Sequence, residues 1–365
     1  MNLFPAASFL LRSGVHSRAF PGASIEIGRR ETVLWRAAFG ALSYDHDAPA
    51  VQSDTIFDLA SLTKVMATTT LTMRAVDEGL LALDDRVADW IPEWNGSDRK
   101  DVTIHHLLSH SSGLTAYLPF FRDYTGRVEF QSAIATMPLE YEPGTRSIYS
   151  DLGFILLGFI LEDVRSAGSA RRGGVFDPAA SLAAQFARVA SLVTDQPLTY
   201  LPPRQWRPRT APTEHDNWRG RTLIGEVHDE NAWALGGAAG HAGLFGTAAA
   251  VGAFARAALH TLAGNPILAR AATMRSFIQR SNVPGSSRAM GWDTMLPTSS
   301  CGTLMSATAI GHTGFTGTSL WIDWERDFYV VLLTNRVHPT RENHLLKELR
   351  PRIHDAVVEE LPAPS

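Results

Sequence analysis

Ser61 and Lys64 stand three residues apart in Ser61-Leu62-Thr63-Lys64, and on a helix that spacing puts both side chains on one face. A serine hydroxyl is a weak nucleophile at neutral pH until a neighbouring base takes its proton, and a partly desolvated lysine is such a base. The chain has only three lysines, Lys64, Lys100 and Lys347, against thirty arginines. Where a plain positive charge suffices this sequence uses arginine, which keeps its proton, so a lysine directs attention to proton transfer. If Ser61 starts the helix, the free N–H groups and positive dipole end there are expected to lower the pKa of Lys64 and to favour an anionic oxygen. A Ser-x-x-Lys tetrapeptide is common on solvated helix faces, so its meaning depends on what accompanies it.

Two further segments accompany it. Tyr149-Ser150-Asp151 stands between the turn Glu142-Pro143-Gly144 and an apolar helix, and His312-Thr313-Gly314 leads into a strand. Taken in the order Ser-x-x-Lys, Tyr-x-Asp, His-Thr-Gly, these resemble the three signatures of the serine β-lactamase and penicillin-binding-protein superfamily. The branch they resemble most is that of class C β-lactamases, D-alanyl-D-alanine carboxypeptidases and related esterases. The segments from Ile104 to Leu114 and from Gly240 to Thr247 resemble the same branch, and the similarity spans about residues 20 to 340.

The resemblance implies a role for each residue. Ser61 is the acylated nucleophile, Lys64 its activating partner, and Tyr149 the proton shuttle that protonates the leaving group and activates water. The backbone N–H groups of Ser61 and Phe315 form the oxyanion hole, and Asp151, His312, Thr313 and Gly314 bind substrate. No metal and no other cofactor is implied. Two departures bear on the substrate. The common third motif begins with lysine, and His312 is a variant that the resemblance associates with some peptidases and esterases, so a fixed cation for a substrate carboxylate is missing. Asp151 stands where class C enzymes usually have an amide, so a donor is replaced by an acceptor unless Asp151 is protonated or pairs with Lys64 or an arginine. Both point away from an efficient β-lactamase. The expected activity is hydrolysis of a small ester or a D-amino-acid amide or peptide through an acyl-serine; the alternative is a penicillin-recognising sensor that acylates without turnover.

Composition excludes several other classes. The chain has 365 residues, 45% hydrophobic and 19% charged, and a formal net charge of −4, so there is no basic excess for nucleic acid. Cys301 is the one cysteine, which rules out an intrachain disulfide or a thiolate metal cluster. His105, His106 and His110 lack an acidic companion and any His-Glu-x-x-His pattern, so they read as structural. The longest apolar run, Leu152 to Leu161, is too short to span a membrane, and the first residues do not read as a signal peptide. The expectation is a cytoplasmic protein with a small-molecule or peptide substrate, no nucleic-acid partner and no membrane span.

The elements that must position these residues follow from periodicity. A helix is expected from Phe4 to Val15, a hairpin from Ala23–Gly28 and Thr32–Phe39, and a helix from Ser61 stopped by Gly79. A short helical piece is expected to open at Asp84–Val87 and end before Pro92, further helices are expected at Thr103–His110, Leu152–Val164, Thr247–Ala263 and His344–Leu361, and strands at Ala307–Gly311, Ser319–Trp324 and Phe328–Asn335. Residues 166 to 231, rich in Pro, Arg and Trp, read as a long irregular excursion, with Trp206 and Trp218 as candidates for a substrate-selecting wall. Tyr117, Phe120 and Phe121 are candidates for the pocket lining. The fold class is α/β (α+β), a β-lactamase-like fold. Its antiparallel sheet, from residues 1–60 plus 246–365, is flanked by helices, a mainly helical domain spans 61–245, and the active site lies at their interface.

Overall fold

A computed structural model describes residues 3–170 and 178–363. Six antiparallel strands form the main sheet in the spatial order Val33–Gly40, Gly22–Gly28, Phe328–Thr334, Ser319–Asp323, Ile310–Thr313, Asp293–Thr294. The first hairpin joins the last by register, Ile25 opposite Leu332 and Ile27 opposite Val330. Every residue of Gly22–Gly28 and Phe328–Thr334 is buried, which is why these strands read as near-continuous apolar runs rather than alternating ones.

The period of two still operates inside them. Tyr329, Val331 and Leu333 face the core shared with the helical part, while Phe328, Val330 and Leu332 face the terminal helices. Those terminal helices are Pro5–His16 and Leu346–Glu359. Glu360 caps the first, its carboxylate accepting from the backbone N–H groups of Ala6 (2.6 Å) and Ala7 (3.2 Å), donors without an intrahelical partner. On the opposite face lies Ala248–Leu262, begun by Thr247, whose hydroxyl accepts from Ala250 N.

One buried charge cluster fastens that helix to the sheet. Glu26, fully buried, accepts from Arg256 (2.8 Å), Tyr329 Oη (2.7 Å) and Arg36 Nε (2.7 Å). Gly252 makes room for it, since a Cβ there would stand 1.8 Å from the Glu26 carboxylate. Glu26→Gln leaves two arginines facing a neutral group; as both arginines are partly solvated, the expected loss is about 3 kcal/mol, the low end for a broken buried pair, measured by urea denaturation.

The rest of the helical part centres on Asp151–Ala170, in which Leu152 to Leu161 are all buried. The helix after Ser61 does not open as a regular α-helix. Its hydrogen bonds widen to a π-helix over Lys64–Thr69, all six residues buried, before Thr70–Asp77 continues as α-helix to a C-cap at Glu78, with Gly79 at φ +68°.

Residues 166 to 231 are less irregular than their composition suggests. They contain the helix Leu182–Val193, begun by Ser181 as N-cap, and short strands at Leu198–Tyr200, His215–Asp216 and Arg221–Thr222; residues 171–177 lie outside the described residues. Helices at Gly126–Thr136 and Ala271–Phe277 were also not expected. Among the described residues no helix is long and apolar enough to cross a membrane.

Candidate active site

Ser61 sits at the mouth of a tight turn that the sheet holds from below. The strand Phe57–Asp58 pairs with Leu244–Gly246, and the chain then turns through Ala60 at φ +46°, an uncommon value for a residue with a Cβ. The buried Asp58 carboxylate fixes this turn, accepting from Ala60 N (2.8 Å) and His228 N (2.7 Å). Burial pushes the Asp58 pKa up against those two bonds. Two hydroxyls reach across from the strand end after His312: Thr316 donates to Asp58 O (2.7 Å) and Thr318 to Leu59 O (3.0 Å). Gly314 permits the approach, because a Cβ there would lie 2.1 Å from Thr318 Oγ1 and 2.6 Å from Leu59 O.

The three signatures meet at this turn. Lys64 Nζ lies 3.0 Å from Ser61 Oγ, 3.0 Å from His241 O and 2.6 Å from Asp151 Oδ1. An ammonium has three N–H donors, and three acceptors surround this one. The Tyr149 side chain stands beside them, its ring centroid 4.9 Å from Lys64 Nζ and its hydroxyl facing both Ser61 and Lys64. Its ring packs 4.7 Å from His110 and 5.7 Å from His312. His110 accepts from Ser150 N at Nδ1 (3.0 Å), so the residue following Tyr149 is anchored to the ring beside it.

Lys64 departs from the sequence expectation in its charge. Burial is the largest influence and pulls its pKa down, but the Asp151 carboxylate and Tyr149 together push it above the ordinary lysine value. Lys64 therefore rests as an ammonium, held by Asp151, rather than as a free amine lowered by the helix end. Burial also raises Tyr149, partly offset by the Lys64 cation, so the phenol rests protonated. The serine thus meets a Lys64–Tyr149 pair that holds one proton more than a base can hold.

His312 rests neutral. Burial depresses its pKa well below the usual histidine value, with Arg288 and Lys64 adding to the effect. Its Nδ1 donates to Thr313 O (2.8 Å), which leaves Nε2 as a buried acceptor without a partner. A cation does stand nearby: the Arg288 guanidinium lies 5.0 Å over the Tyr149 ring, 3.8 Å from the Asp293 carboxylate, and lines the same cleft. Nothing distinguishes Arg288 from twenty-nine other arginines in the sequence.

Ser61, Tyr149, Asp151, His312, Thr313, Gly314 and Phe315 all line one cleft of about 600 Å³, with Lys64 buried behind it. Among the described residues no acceptor is bonded to the backbone N–H of Ser61 or of Phe315. Tyr117 also lines the cleft. Phe120 is buried against Phe130, and Phe121 packs on Trp218, which with Trp206 lies outside the lining. His241 and Asp229, present in the sequence as separate segments, are paired at 2.7 Å. Asp229 also caps the helix Glu230–Ala234 by accepting from Ala232 N. That pair sets the carbonyl of His241 that receives Lys64. Among the described residues no cluster of three metal-ligating side chains occurs, and His105, His106 and His110 do not converge on one point for a metal.

A family model described as Beta-lactamase matches residues 10–353. A protein of Escherichia coli (strain K12) named "Putative D-alanyl-D-alanine carboxypeptidase" is 31% identical over 347 residues, covering 87% of this chain and 79% of the relative. Among solved structures, EstCE1, described as a hydrolase with promiscuous acyltransferase activity, superposes with a TM-score of 0.75 at 22% identity, over 98% of each chain. A class C β-lactamase superposes at 0.74 with 15% identity, again over 98% of each chain. The expected α/β fold, an antiparallel sheet flanked by helices, is the fold these structures share with this chain.

Proposed function

The chain belongs to the β-lactamase family as a serine hydrolase, and from that premise we propose that it hydrolyses a small ester or a D-amino-acid amide or peptide through an acyl-Ser61 intermediate. The contact of Ser61 Oγ with Lys64 Nζ at 3.0 Å, with Tyr149 facing both, carries this reading.

Acylation begins with the proton on Ser61. Once the Lys64–Tyr149 pair has released one proton, Tyr149 beside the Lys64 ammonium accepts the Ser61 proton as Oγ attacks the substrate carbonyl. Negative charge then builds on the carbonyl oxygen, facing the N–H groups of Ser61 and Phe315, and the intermediate collapses as Tyr149 returns the proton to the leaving group. Water enters, gives a proton to Tyr149 and attacks the acyl carbon, and Ser61 Oγ recovers the proton as the acid departs. Asp151 keeps Lys64 in place throughout. His312 Nε2 and Thr313 receive the substrate's polar edge.

Cleft electrostatics favour an anionic substrate. Its acids are engaged by protein partners, Asp151 by Lys64, Asp229 by His241 and Glu230 by Arg341, and Arg288 is paired with Asp293, whereas Arg336, Lys347 and Arg350 line it with no carboxylate within 4 Å among the described residues. This supports the peptide arm, since a D-amino-acid peptide ends in a carboxylate, and it agrees with the name of the E. coli relative.

The test combines intact-protein mass after incubation with a fluorescent penicillin and p-nitrophenyl butyrate hydrolysis followed from the first turnover. The expected result is an adduct on the wild type that Ser61→Ala does not form, with steady ester turnover. One equivalent of p-nitrophenol and then nothing would establish the acylating sensor instead. Absence of both adduct and turnover, with D-alanyl-D-alanine peptides also uncleaved, overturns the proposal.

A further inference from the structure

Residues 227–229 reach three parts of the site at once. The main-chain N–H of His228 donates to the buried Asp58 carboxylate (2.7 Å), whose other oxygen holds Ala60 N, one residue before Ser61. The His228 ring stacks on the ring of Phe315, with centroids 5.7 Å and planes 23° apart. Asp229, the next residue, pairs with His241, whose carbonyl receives Lys64. The segment is itself clamped: Arg219, buried and paired with Asp216, donates to Val227 O (2.7 Å) and His228 O (2.6 Å).

The orientation of the His228 ring is fixed from behind. His228 is buried, and its Nε2 lies 2.9 Å from Glu214 Oε2. Burial works to raise the Glu214 pKa, but the bonds from His228 and Arg341 outweigh it and hold the carboxyl below its ordinary value. Glu214 is therefore an acceptor, and Nε2 of His228 is the donor. Arg341 Nε grips the same carboxylate oxygen (2.6 Å) and its Nη2 reaches Glu230 (2.7 Å), so the partner of His228 is anchored in turn. Phe315 differs: its side chain is 50% exposed, so no core packing holds its ring. What holds it is the His228 stack and Arg336, whose guanidinium lies 4.8 Å from the ring centroid and donates to Phe315 O (2.6 Å).

We infer that His228 is a positioning residue for the oxyanion hole, tying the turn that presents the Ser61 N–H to the Phe315 N–H, through its main chain on one side and its ring on the other. Two donors stabilise a developing oxyanion only when they converge on one point, and a misplacement of about 1 Å costs about 10²-fold in rate. These two donors come from distant parts of the chain and share no element. Thr316 and Thr318 link the strand end to the carbonyls of Asp58 and Leu59, and His228 supplies the link on the side of the Phe315 ring. This inference rests on the acyl-serine reading and assigns within it a residue that the three signatures do not include.

The experiment compares p-nitrophenyl butyrate with its thionoester, O-(4-nitrophenyl) thionobutyrate, on the whole chain. Sulfur is a weak hydrogen-bond acceptor, so the ratio of kcat/KM for the two esters, divided by the same ratio for hydroxide, reads the oxyanion donors and cancels any general loss of active protein. His228→Ala is expected to lower this ratio at least about five-fold, a fraction of the roughly 10²–10³-fold that loss of an entire donor costs. His228→Phe keeps a ring against Phe315 and is expected to restore the ratio to within about two-fold of the wild type. Phe315→Ala keeps the N–H and removes the exposed ring, so it should lower the ratio as His228→Ala does, which preserves the test if His228→Ala does not fold. A ratio unchanged in His228→Ala or in Phe315→Ala overturns the role, since equal losses on both esters mark a structural effect only. A His228→Phe ratio as low as that of His228→Ala overturns it too, as does a wild-type ratio no greater than that of hydroxide. Hydrolysis of p-nitrophenyl butyrate that depends on Ser61 upholds the acyl-serine reading whichever way the ratio falls, and its absence counts against that reading alone.

Discussion

Ser61→Ala is expected to lower kcat/KM for p-nitrophenyl butyrate by at least about 10⁴-fold while leaving the melting temperature within a degree or two. The loss is large because the variant removes the attacking atom itself, and only catalysis by the oxyanion donors and by binding is left. The fold is spared because the Ser61 hydroxyl supports little else. Lys64 keeps His241 O and Asp151, and Asp58 still clamps Ala60 and His228. A variant retaining more than a few per cent of the wild-type rate would remove Ser61 from the nucleophile role, and a fall in melting temperature of ten degrees would make the rate uninformative.

Asp151→Asn should move the pH dependence of catalysis. In the wild type, kcat/KM for a neutral ester is expected to rise with pH from neutral into the alkaline range, because the Lys64–Tyr149 pair must lose a proton and both groups are held above their ordinary values. Removing the carboxylate takes away the principal influence that keeps Lys64 charged, while the burial that disfavours the ammonium remains. The rising limb therefore moves to lower pH, by at least about one pH unit, since an opposite charge at this range changes a pKa by about 1–3. At a pH below the limb, the rate relative to its own plateau then rises about ten-fold for each pH unit the limb has moved. The measurement is a full pH profile of both proteins, normalised to the plateau. A limb that stays in place means that Asp151 does not govern the charge of Lys64.

Much of this site was legible because its residues lie in short local patterns. Ser61 with Lys64, Tyr149 with Asp151 and the run from His312 to Phe315 are each fixed by neighbours in sequence, and the strands and helices around them follow from apolar spacing. What escaped needed three dimensions. The charge of Lys64 depends on Asp151 arriving from another helix, so a helix-end argument alone gave the wrong direction. Arg288 contributes its cation through a loop with no pattern of its own. Asp229 and His241, twelve residues apart, become partners only when the chain folds back over Lys64. The helix Leu182–Val193 was obscured by the prolines and arginines that surround it, although Ser181 and the apolar spacing of Leu182, Phe186 and Val189 were there to be read.

Asp58 O and Leu59 O take their hydroxyl partners from Thr316 and Thr318, some 258 residues later in the chain. A ribosome adding about 5–20 residues per second therefore delivers those partners roughly 13–50 s after Ser61 has been made. Until then the turn that presents the nucleophile has lost its clasp, and the strand bearing His312 has not been synthesised. A nascent chain, or one terminated before Thr318, consequently carries Ser61 without a working hydrolase around it, so competence waits on the synthesis of that distant strand.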